Sequence, residues 1–322
     1  MGKGKYNAAV YMLSSRTDTL KKALEYFYEN WNNEYDYPVY IHHFDDIYGQ
    51  DFVDDIQKTI SDKISFHEVN YGVPSHIREA ELFYNRTYLG YVRESFAKNR
   101  LGYLHMEHFS SNLHKFGEAG CITKEMEQYD YVMRIDDDSW FKEKIDFDFF
   151  DHVQTQPIAT AFTWNHCGQN HIETRENLWE FYLNYLKSEN IDPLSIKNEQ
   201  LKEAVLNNDE MKMHTLRWSC GNFNIYNVKM FLDYGFEKWM DYVNEHGGLY
   251  KHRWGDLETL GLFTYTMFED PVCDLNLRER GLYEPKLPET EVPVSGYAPT
   301  VKRSFYQIRK LTDQELESAA LK

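Results

Sequence analysis

Several common features are missing from this 322-residue chain. It has no run of about 18 apolar residues, the length that a transmembrane helix needs, so no membrane span is predicted. Positive charge is scarce: 35 Lys and Arg face 52 Asp and Glu, which gives a formal net charge of −17. A nucleic-acid-binding surface needs basic side chains against phosphates, and docking on anionic lipid needs the same charges. The composition therefore argues against both kinds of partner.

Cysteine is also scarce, and its spacing excludes the common zinc patterns. The four cysteines, Cys121, Cys167, Cys220 and Cys273, are far apart in the sequence. The first residues lack the apolar stretch of a secretory signal peptide. Disulfide frameworks are characteristic of oxidising compartments, so we expect these cysteines to be reduced thiols.

The chain does contain enough apolar material for a folded protein. Hydrophobic residues make up 42% of the sequence and aromatic residues 16%. This length and composition suit one large α/β domain or two smaller ones. Aromatic faces, with the polar tips of Tyr and Trp, are also the contacts that sugar-handling sites use. Most of these rings are nevertheless expected in the core.

The order of apolar segments predicts an α/β fold that begins with a βαβ unit. Residues 8–13 are predicted as a buried parallel strand, and apolar side chains at helical spacing follow from Leu20 to Trp31. Strand and helix alternate further along the chain, which indicates a Rossmann-like arrangement. The other predicted strands are 37–43, 63–70, 131–135, 157–164 and 221–226, and the other predicted helices are 88–116, 173–186, 227–245 and 254–268.

Three consecutive carboxylates, Asp136, Asp137 and Asp138, follow the predicted strand 131–135 directly. Ligands of open α/β sheets bind at the carboxyl ends of the strands. Carboxylate oxygens suit Mg²⁺ or Mn²⁺, and these ions bridge phosphate oxygens. An acidic chain also produces Asp clusters by chance, and such a cluster can be only a turn or a helix cap. The preceding strand favours the metal-binding interpretation, because many nucleotide-sugar transferases hold a diphosphate with Asp-x-Asp at a strand end.

Four stretches of the sequence together resemble the fungal Golgi α-1,2-mannosyltransferase family. The most specific ends in Arg253-Trp254-Gly255-Asp256. The likeness extends from about residue 6 to residue 270. The stretches are residues 8–13 with their helix and 33–38, residues 103–111, residues 131–141, and residues 219–231 with 247–256.

The resemblance implies a Rossmann-like transferase fold of the GT-A type, with a mixed central sheet flanked by helices. It implies one catalytic domain over residues 1–295, divided into a nucleotide-sugar-binding half at 6–145 and an acceptor-side half at 146–295, with a C-terminal tail at 296–322. The implied reaction is a metal-dependent, retaining transfer of α-mannose from GDP-mannose to a glycan or glycoprotein hydroxyl. The implied cofactor is Mn²⁺, or Mg²⁺ in its place.

The resemblance also implies roles for individual residues. Cationic side chains and a metal ion would offset the charge of the leaving diphosphate. A carboxylate near the sugar would take the acceptor proton or stabilise an oxocarbenium-like centre. The implied metal ligands are Asp136 and Asp138; the nucleotide-sugar-binding residues are Arg16, Arg134, Asp136 and Tyr103; the catalytic residues are Asp256 and Asn224; the acceptor-binding residues are Glu173 and Trp254.

Each of the less specific residues also has a purely structural interpretation. Asp256 could cap a helix that starts after Gly255, and Glu173 could begin a helix, where acidic residues are favoured. Arg16 could be an ordinary surface residue of the loop after the first strand.

Three features depart from the family pattern. Asn224 occupies the position of a family Glu that is a candidate nucleophile, and an amide cannot act as a carboxylate nucleophile. Residues 274–284 contain no His where the family places a metal ligand. No anchor segment is recognised, which suits either a cytoplasmic protein, for example in the host cytosol of a virus, or a trimmed catalytic domain of the Golgi lumen. Front-face transfer, in which the leaving phosphate helps to deprotonate the acceptor, remains open.

The sequence leaves three alternative functions open. The same fold could use a UDP-sugar as donor. The Asn at position 224 also suits a catalytically inactive relative that binds a glycan or a nucleotide sugar. A metal-dependent phosphohydrolase is the weakest alternative.

Overall fold

The computed structural model describes residues 4–14, 16–43, 47–69, 72–83, 100–112, 126–164, 175–213 and 215–287. Three predictions lie outside these residues: the helical stretch before residue 100, the acceptor-side Glu173, and the tail at 296–322. Within the described residues, no helix is long and apolar enough to span a membrane. Cys220 and Cys273 are free thiols, and the other two cysteines are outside the described part of the chain.

Strands alternate with helices along the chain, as the apolar segments predict. The strands are β1 (Ala8–Leu13), β2 (Val39–His43), β3 (Ile64–Glu68), β4 (Tyr131–Ile135), β5 (Trp140–Phe141), β6 (Ile158–Thr160), β7 (Thr163–Trp164), β8 (Trp218–Ser219), β9 (Phe223–Asn227), β10 (Val272–Asp274) and β11 (Tyr283–Glu284).

The helices lie mainly between residues 17–59, 100–111 and 178–267. They are α1 (Thr17–Phe27), α2 (Asn33–Tyr35), α3 (Gln50–Thr59), α4 (Arg100–Ser111), α5 (Leu178–Ser188), α6 (Glu199–Asn207), α7 (Glu210–Met213), α8 (Val228–Asp233), α9 (Phe236–His246), α10 (Gly248–Lys251) and α11 (Asp256–Met267). A π-helical turn, Tyr28–Asn32, joins α1 to α2.

A seven-stranded mixed sheet in the order β10-β6-β9-β4-β1-β2-β3 forms the centre of the protein. β1 runs parallel to both β2 and β4, with Val10 opposite Val39 and Met133. β9 is the antiparallel member and lies between β4 and β6. The mixed sheet confirms the predicted fold class. β9 follows residue 146 in sequence yet pairs with β4, and β6 pairs with β9, so the two halves of the chain share one sheet.

The central sheet is covered on both faces, which explains why β1 is apolar throughout. Ala9 and Tyr11 belong to a core cluster with side chains of α4, α5, α9 and α11. Ala8, Val10 and Met12 belong to a second cluster with α1 and the segment Phe149–Val153. Successive residues of a strand point to opposite faces, so a strand buried on both sides is a continuous apolar run.

Two predicted elements are interrupted in the structure. The predicted strand 157–164 is two short strands: β6 belongs to the central sheet, whereas β7 pairs with β8 in a separate ribbon. Asp274 stabilises this break by accepting the backbone N–H of Thr163 at 3.0 Å. The predicted helix 227–245 is divided into α8 and α9 at Gly235, whose φ of +84° lies in the left-handed region. Its predicted ends are confirmed: Asn227 caps α8, and Gly247 ends α9.

Gly261 provides a test of close packing inside α11. Alanine has an intrinsic helix propensity about 1 kcal/mol better than glycine. A Cβ at Gly261 would, however, overlap the ring of Trp218, which is fully buried. Overpacking of this kind costs about 1–3 kcal/mol. We therefore expect Gly261→Ala to lower the free energy of unfolding by about 1–2 kcal/mol, measured by urea denaturation.

Gly72→Ala is the matched control, because a Cβ at Gly72 would have no atom within 4 Å. Its stability should equal or slightly exceed that of the wild type. A Gly261→Ala protein more stable than the wild type would show that the indole of Trp218 moves aside without cost.

Candidate functional site

The carboxyl end of β4 brings the polar residues of the sheet together. Arg134, on β4, lies opposite Tyr11 of β1 and Asn224 of β9. These three side chains share the sheet face that packs against α4 and α11, because they alternate with residues of the opposite core cluster. The Asp cluster directly after β4 thus lies where the strands of the sheet end, and β4 is the middle strand of the seven.

The guanidinium group of Arg134 joins this edge to the start of α11. Its Nη1 donates to Oδ2 of Asp256, and its Nη2 lies 3.3 Å from Oδ1 of Asp136. Burial opposes the charge of Arg134, but the two carboxylates outweigh this effect and hold its pKa well above the ordinary value. Arg134 and Asp256 are both buried, so the pair is fixed by charge as well as by hydrogen bonding.

Asp136 carries a proton more readily than an ordinary aspartate. Burial is the main cause, and the neighbouring carboxylates of Asp138, Asp137 and Asp256 act in the same direction against the opposing charge of Arg134. Together they raise the pKa of Asp136 to about 6. The pKa of Asp138 is raised as well, again chiefly by burial. Negative charge therefore exceeds positive charge at this edge, which favours the binding of a cation.

Asp137, unlike Asp136 and Asp138, is buried, and it is hydrogen-bonded to Ser14 and Arg16. Its carboxylate is buried and accepts the Ser14 hydroxyl at 2.6 Å, while Oδ2 also lies 3.2 Å from Nε of Arg16. The Ser14 hydroxyl in turn accepts from Tyr48 at 2.6 Å. Nη1 of Arg16 reaches Oδ2 of Asp138 at 3.2 Å. Asp137 thus holds Arg16 in place at the start of α1, which the Asp-x-Asp pattern did not indicate.

The residues at this edge fit a divalent ion that is bound partly by the protein and partly by phosphate oxygens. Asp136 and Asp138 offer hard oxygens and are partly accessible. In the described part of the chain no three His, Cys, Asp or Glu side chains are grouped to hold a metal. Mg²⁺-type sites commonly use one or two carboxylates and take their other ligands from phosphates and water. Two aspartates are therefore a sufficient protein contribution.

A second buried carboxylate, Glu107, lies beside Asp256. Oε2 of Glu107 accepts the backbone N–H of Asp256 at 2.8 Å. Burial, and then the charge of Asp256, raise the pKa of Glu107 from 4.5 to about 8, while hydrogen bonding by Tyr103 and the charge of Arg253 oppose the shift. The guanidinium carbon of Arg253 is 4.4 Å from the centre of the Tyr103 ring.

Tyr103 and Asp256 lie in the same network as Arg134. Asp256 is the first residue of α11, whose N-cap is Gly255. Asp256 is therefore not the N-cap residue, although its Oδ1 accepts the N–H of Leu257 in the first turn. No contact of the described residues tests whether Tyr103 binds a nucleotide sugar, and that role stays a prediction.

Two other predicted site residues are fully buried. Asn224 donates from Nδ2 to the Tyr226 hydroxyl at 3.0 Å, and its Oδ1 has no hydrogen-bond partner in the described part of the chain. Trp254 packs with His246 and His252, whose ring centroids are 4.8 and 5.6 Å from its own, and its indole N–H donates to the carbonyl of Glu176. The faces of Trp254 are occupied by protein, so its placement gives it a packing role and does not support contact with an acceptor.

A buried ion pair near Gly255 was missing from the predicted site. Nε and Nη2 of Arg175 each lie 3.1 Å from Oε1 of Glu258, and both residues are almost fully buried. A Cβ at Gly255 would overlap Oε2 of Glu258. The spacing of Glu258 after Asp256 was visible in the sequence, but its partner is 83 residues away, so no local pattern could have revealed the pair.

Solved structures share this fold. The mannosyltransferase Ktr4p of S. cerevisiae has a TM-score of 0.66 at 19% identity, over 92% of this chain and 78% of that one. Core-mannan synthase A (CmsA/Ktr4) of Aspergillus fumigatus, in its Mn/GDP form, has a TM-score of 0.67 at 17% identity, over 91% and 81%. The fold of this chain is therefore of the GT-A-like α/β type.

Residues 2–271 match the family model described as glycolipid 2-alpha-mannosyltransferase. The chain therefore belongs to this mannosyltransferase family, and the resemblance seen in the sequence is confirmed. It is 23% identical to glycolipid 2-alpha-mannosyltransferase of Saccharomyces cerevisiae over 77% of this chain and 54% of that protein. It is 24% identical to O-glycoside alpha-1,2-mannosyltransferase omh1 of Schizosaccharomyces pombe, over 78% and 62%. The chain spans about half to two thirds of the length of these curated relatives.

Glu107 makes the stability of the protein depend on pH. Its pKa is near 8 in the folded protein and 4.5 as an ordinary glutamate, so the folded state binds the proton more tightly. The free energy of unfolding therefore contains a contribution that falls as pH rises from about 4.5 to about 8. We expect Glu107→Gln to remove this contribution, so that the variant gains stability relative to the wild type as pH rises.

Urea denaturation between about pH 5 and pH 8 measures this difference. Glu180→Gln, which changes an exposed glutamate of α5, should leave the pH dependence of the wild type intact. Parallel stability curves for Glu107→Gln and the wild type would contradict the raised pKa of Glu107.

Proposed function

We propose that this protein is a metal-dependent retaining glycosyltransferase that moves α-mannose from GDP-mannose to a hydroxyl of a glycan or glycoprotein. The observation that carries the proposal is the charged edge after β4, where Arg134 joins Asp136 to Asp256. Family membership supports mannose as the transferred sugar.

The choice of a guanine nucleotide is supported by two solved structures of the same fold. One structure of Ktr4p is a complex with GDP, and it covers 83% of this chain with a TM-score of 0.65. The A. fumigatus enzyme is in an Mn/GDP form. We therefore propose GDP-mannose as the donor of this protein. The half-exposed guanidinium of Arg16, held by Asp137, would contact the diphosphate.

The metal would be held by Asp136 and Asp138. A bound Mn²⁺ or Mg²⁺ would offset the negative charge that the diphosphate gains as it leaves. Arg16 now contacts Asp138 and Arg134 contacts Asp136, so these two arginines partly neutralise the carboxylates. A bound cation would stabilise the charged form of Asp136 and so oppose the burial and neighbouring carboxylates that raise its pKa.

Retention through a covalent intermediate at residue 224 is excluded by its chemistry, since Asn224 has no carboxylate. We propose front-face transfer instead. The bond from the anomeric carbon to the phosphate oxygen breaks, the acceptor oxygen bonds to the same face, and the acceptor proton passes to the leaving phosphate. Asp256, fixed by Arg134, would stabilise the positive charge that develops on the sugar ring.

The first experiment is thermal unfolding with GDP, GDP-mannose, UDP and UDP-sugars, with and without Mn²⁺. A ligand at about 100 times its Kd stabilises the native state by about 2.7 kcal/mol, which raises the Tm by several degrees. We expect such a rise with GDP and GDP-mannose only when Mn²⁺ is present. Asp138→Asn should abolish it, because the amide is a weaker metal ligand.

Asp146→Asn is the matched control, since it changes an exposed aspartate on the segment after β5 and should keep the full shift. A rise in Tm that is selective for UDP or UDP-sugars would show that the donor is a UDP-sugar and not GDP-mannose. A shift with GDP-mannose but no sugar transfer would favour an inactive binding protein. Release of the sugar at the same rate with and without a glycan acceptor would favour a phosphohydrolase.

Asp256 should affect turnover more than donor binding. Asp256→Asn keeps the size of the side chain but removes the charge that faces Arg134. We expect kcat for mannose transfer to fall by about 100-fold or more, with the GDP-induced rise in Tm within a degree or two of the wild type. A variant with unchanged kcat would remove Asp256 from the reaction centre, and loss of GDP binding alone would reassign it to the donor site.

A further inference from the structure

We propose that Glu107 is a positioning residue, which fixes the first turn of α11 from the neighbouring helix α4 and thereby orients Asp256 toward Arg134. The inference rests on the proposed function, in which Asp256 works at the reaction centre. Glu107 lies in the stretch 103–111 that resembles the family, but the resemblance implied no role for it.

The first turn of α11 is only partly capped by its own sequence, through Oδ1 of Asp256 on the N–H of Leu257. Its N-cap is Gly255, which has no side chain, and the first N–H groups of a helix need an acceptor from outside the helix. Glu107 supplies that acceptor, with Oε2 2.8 Å from the backbone nitrogen of Asp256. Because Glu107 is 149 residues away in sequence, this hydrogen bond ties two separate parts of the chain together.

Glu107 is itself held in one orientation. Tyr103 lies one helical turn earlier on the same face of α4 and forms a hydrogen bond to the Glu107 carboxylate. Arg253 lies over the Tyr103 ring, and its φ of +58° places it in the left-handed region, in the turn that leads into α11. The α4 side chains therefore contact the turn before Asp256 as well as Asp256.

The backbone at Gly255, just before α11, is enclosed by two carboxylates. A Cβ on Gly255 would overlap Oε2 of Glu258 and lie 3.8 Å from Oε2 of Glu107. Arg175 pairs with Glu258 and holds it in place. The ionisable groups that face Glu107 are thus Tyr103, Arg253 and Asp256, with Glu258 across Gly255.

Both oxygens of Asp256 depend on this arrangement. Oδ2 accepts from Arg134, and Oδ1 accepts the backbone N–H of Leu257 at 2.8 Å. If the Glu107 contact is lost, the first turn of α11 can rotate or fray, and the carboxylate moves with it. Displacement of a reacting group by about 1 Å can lower a rate by about 100-fold.

The test compares Glu107→Ala with Glu107→Gln in the full chain. We expect Glu107→Ala to lower kcat for sugar transfer by about 10- to 100-fold, with KM for the donor changed by less than about threefold. Glutamine keeps an oxygen that can accept the Asp256 N–H, so Glu107→Gln should recover most of kcat at neutral pH. A fall in kcat that is equal in both variants would overturn the positioning role.

Asp148→Ala is the control for loss of stability alone. Asp148 is a buried carboxylate that accepts a tyrosine hydroxyl, from Tyr37 at 2.7 Å, and a backbone N–H, from Phe150 at 3.1 Å. It therefore matches Glu107 in its hydrogen bonds, but it packs with the core cluster on the opposite face of the sheet. Asp148→Ala should lower Tm and leave kcat unchanged.

Amide hydrogen exchange separates this inference from the proposed function. The first turn of α11 should exchange faster in Glu107→Ala than in the wild type, and at the wild-type rate in Asp148→Ala. If the wild type transfers no sugar, the proposed function fails, while the exchange result still decides whether Glu107 fixes α11. Unchanged exchange in Glu107→Ala, or an unchanged kcat in an active enzyme, would overturn the inference.

Discussion

Arg134 is the group on which the charged part of this protein depends. A guanidinium group cannot lose its charge in a protein, so its burial requires acceptors nearby. Asp136, at the end of the same strand, and Asp256, at the start of α11, supply them. Removing one partner of a buried ion pair typically costs about 3–5 kcal/mol. The pairing therefore holds a helix from the second half of the chain against the central strands of the sheet.

The rest of the edge is organised around an excess of negative charge. Asp137 is neutralised by Arg16, but Asp136 and Glu107 both have pKa values raised by burial and by neighbouring acids. Such a site gains from an added cation at Asp136 and Asp138. Glu107 is farther along the network, where its carboxylate contacts backbone and a tyrosine. The edge therefore combines a cation-binding part with a part that supports Asp256.

The elements that follow from local pattern were predictable. The bounds of β1 match the prediction, and Asn227 and Gly247 end their helices through local capping geometry. The break at Gly235 was missed because a helical pattern continues on both sides of a glycine whose φ is positive only in the folded chain. Trp254 is a second example. The family resemblance implied that it contacts the acceptor, whereas three aromatic neighbours bury it in the folded protein.

By itself the sequence determined the strand that precedes the aspartates, the α/β class and the family, because strand periodicity and motif spacing are local. The tertiary structure decided how the three aspartates differ: Asp137 is used by Arg16 and Ser14, while Asp136 and Asp138 remain partly accessible. It also decided that Glu107 meets Asp256. The physical reason is that burial, charge pairing and helix capping across the core join residues more than 100 positions apart, and no local pattern records which of them will meet.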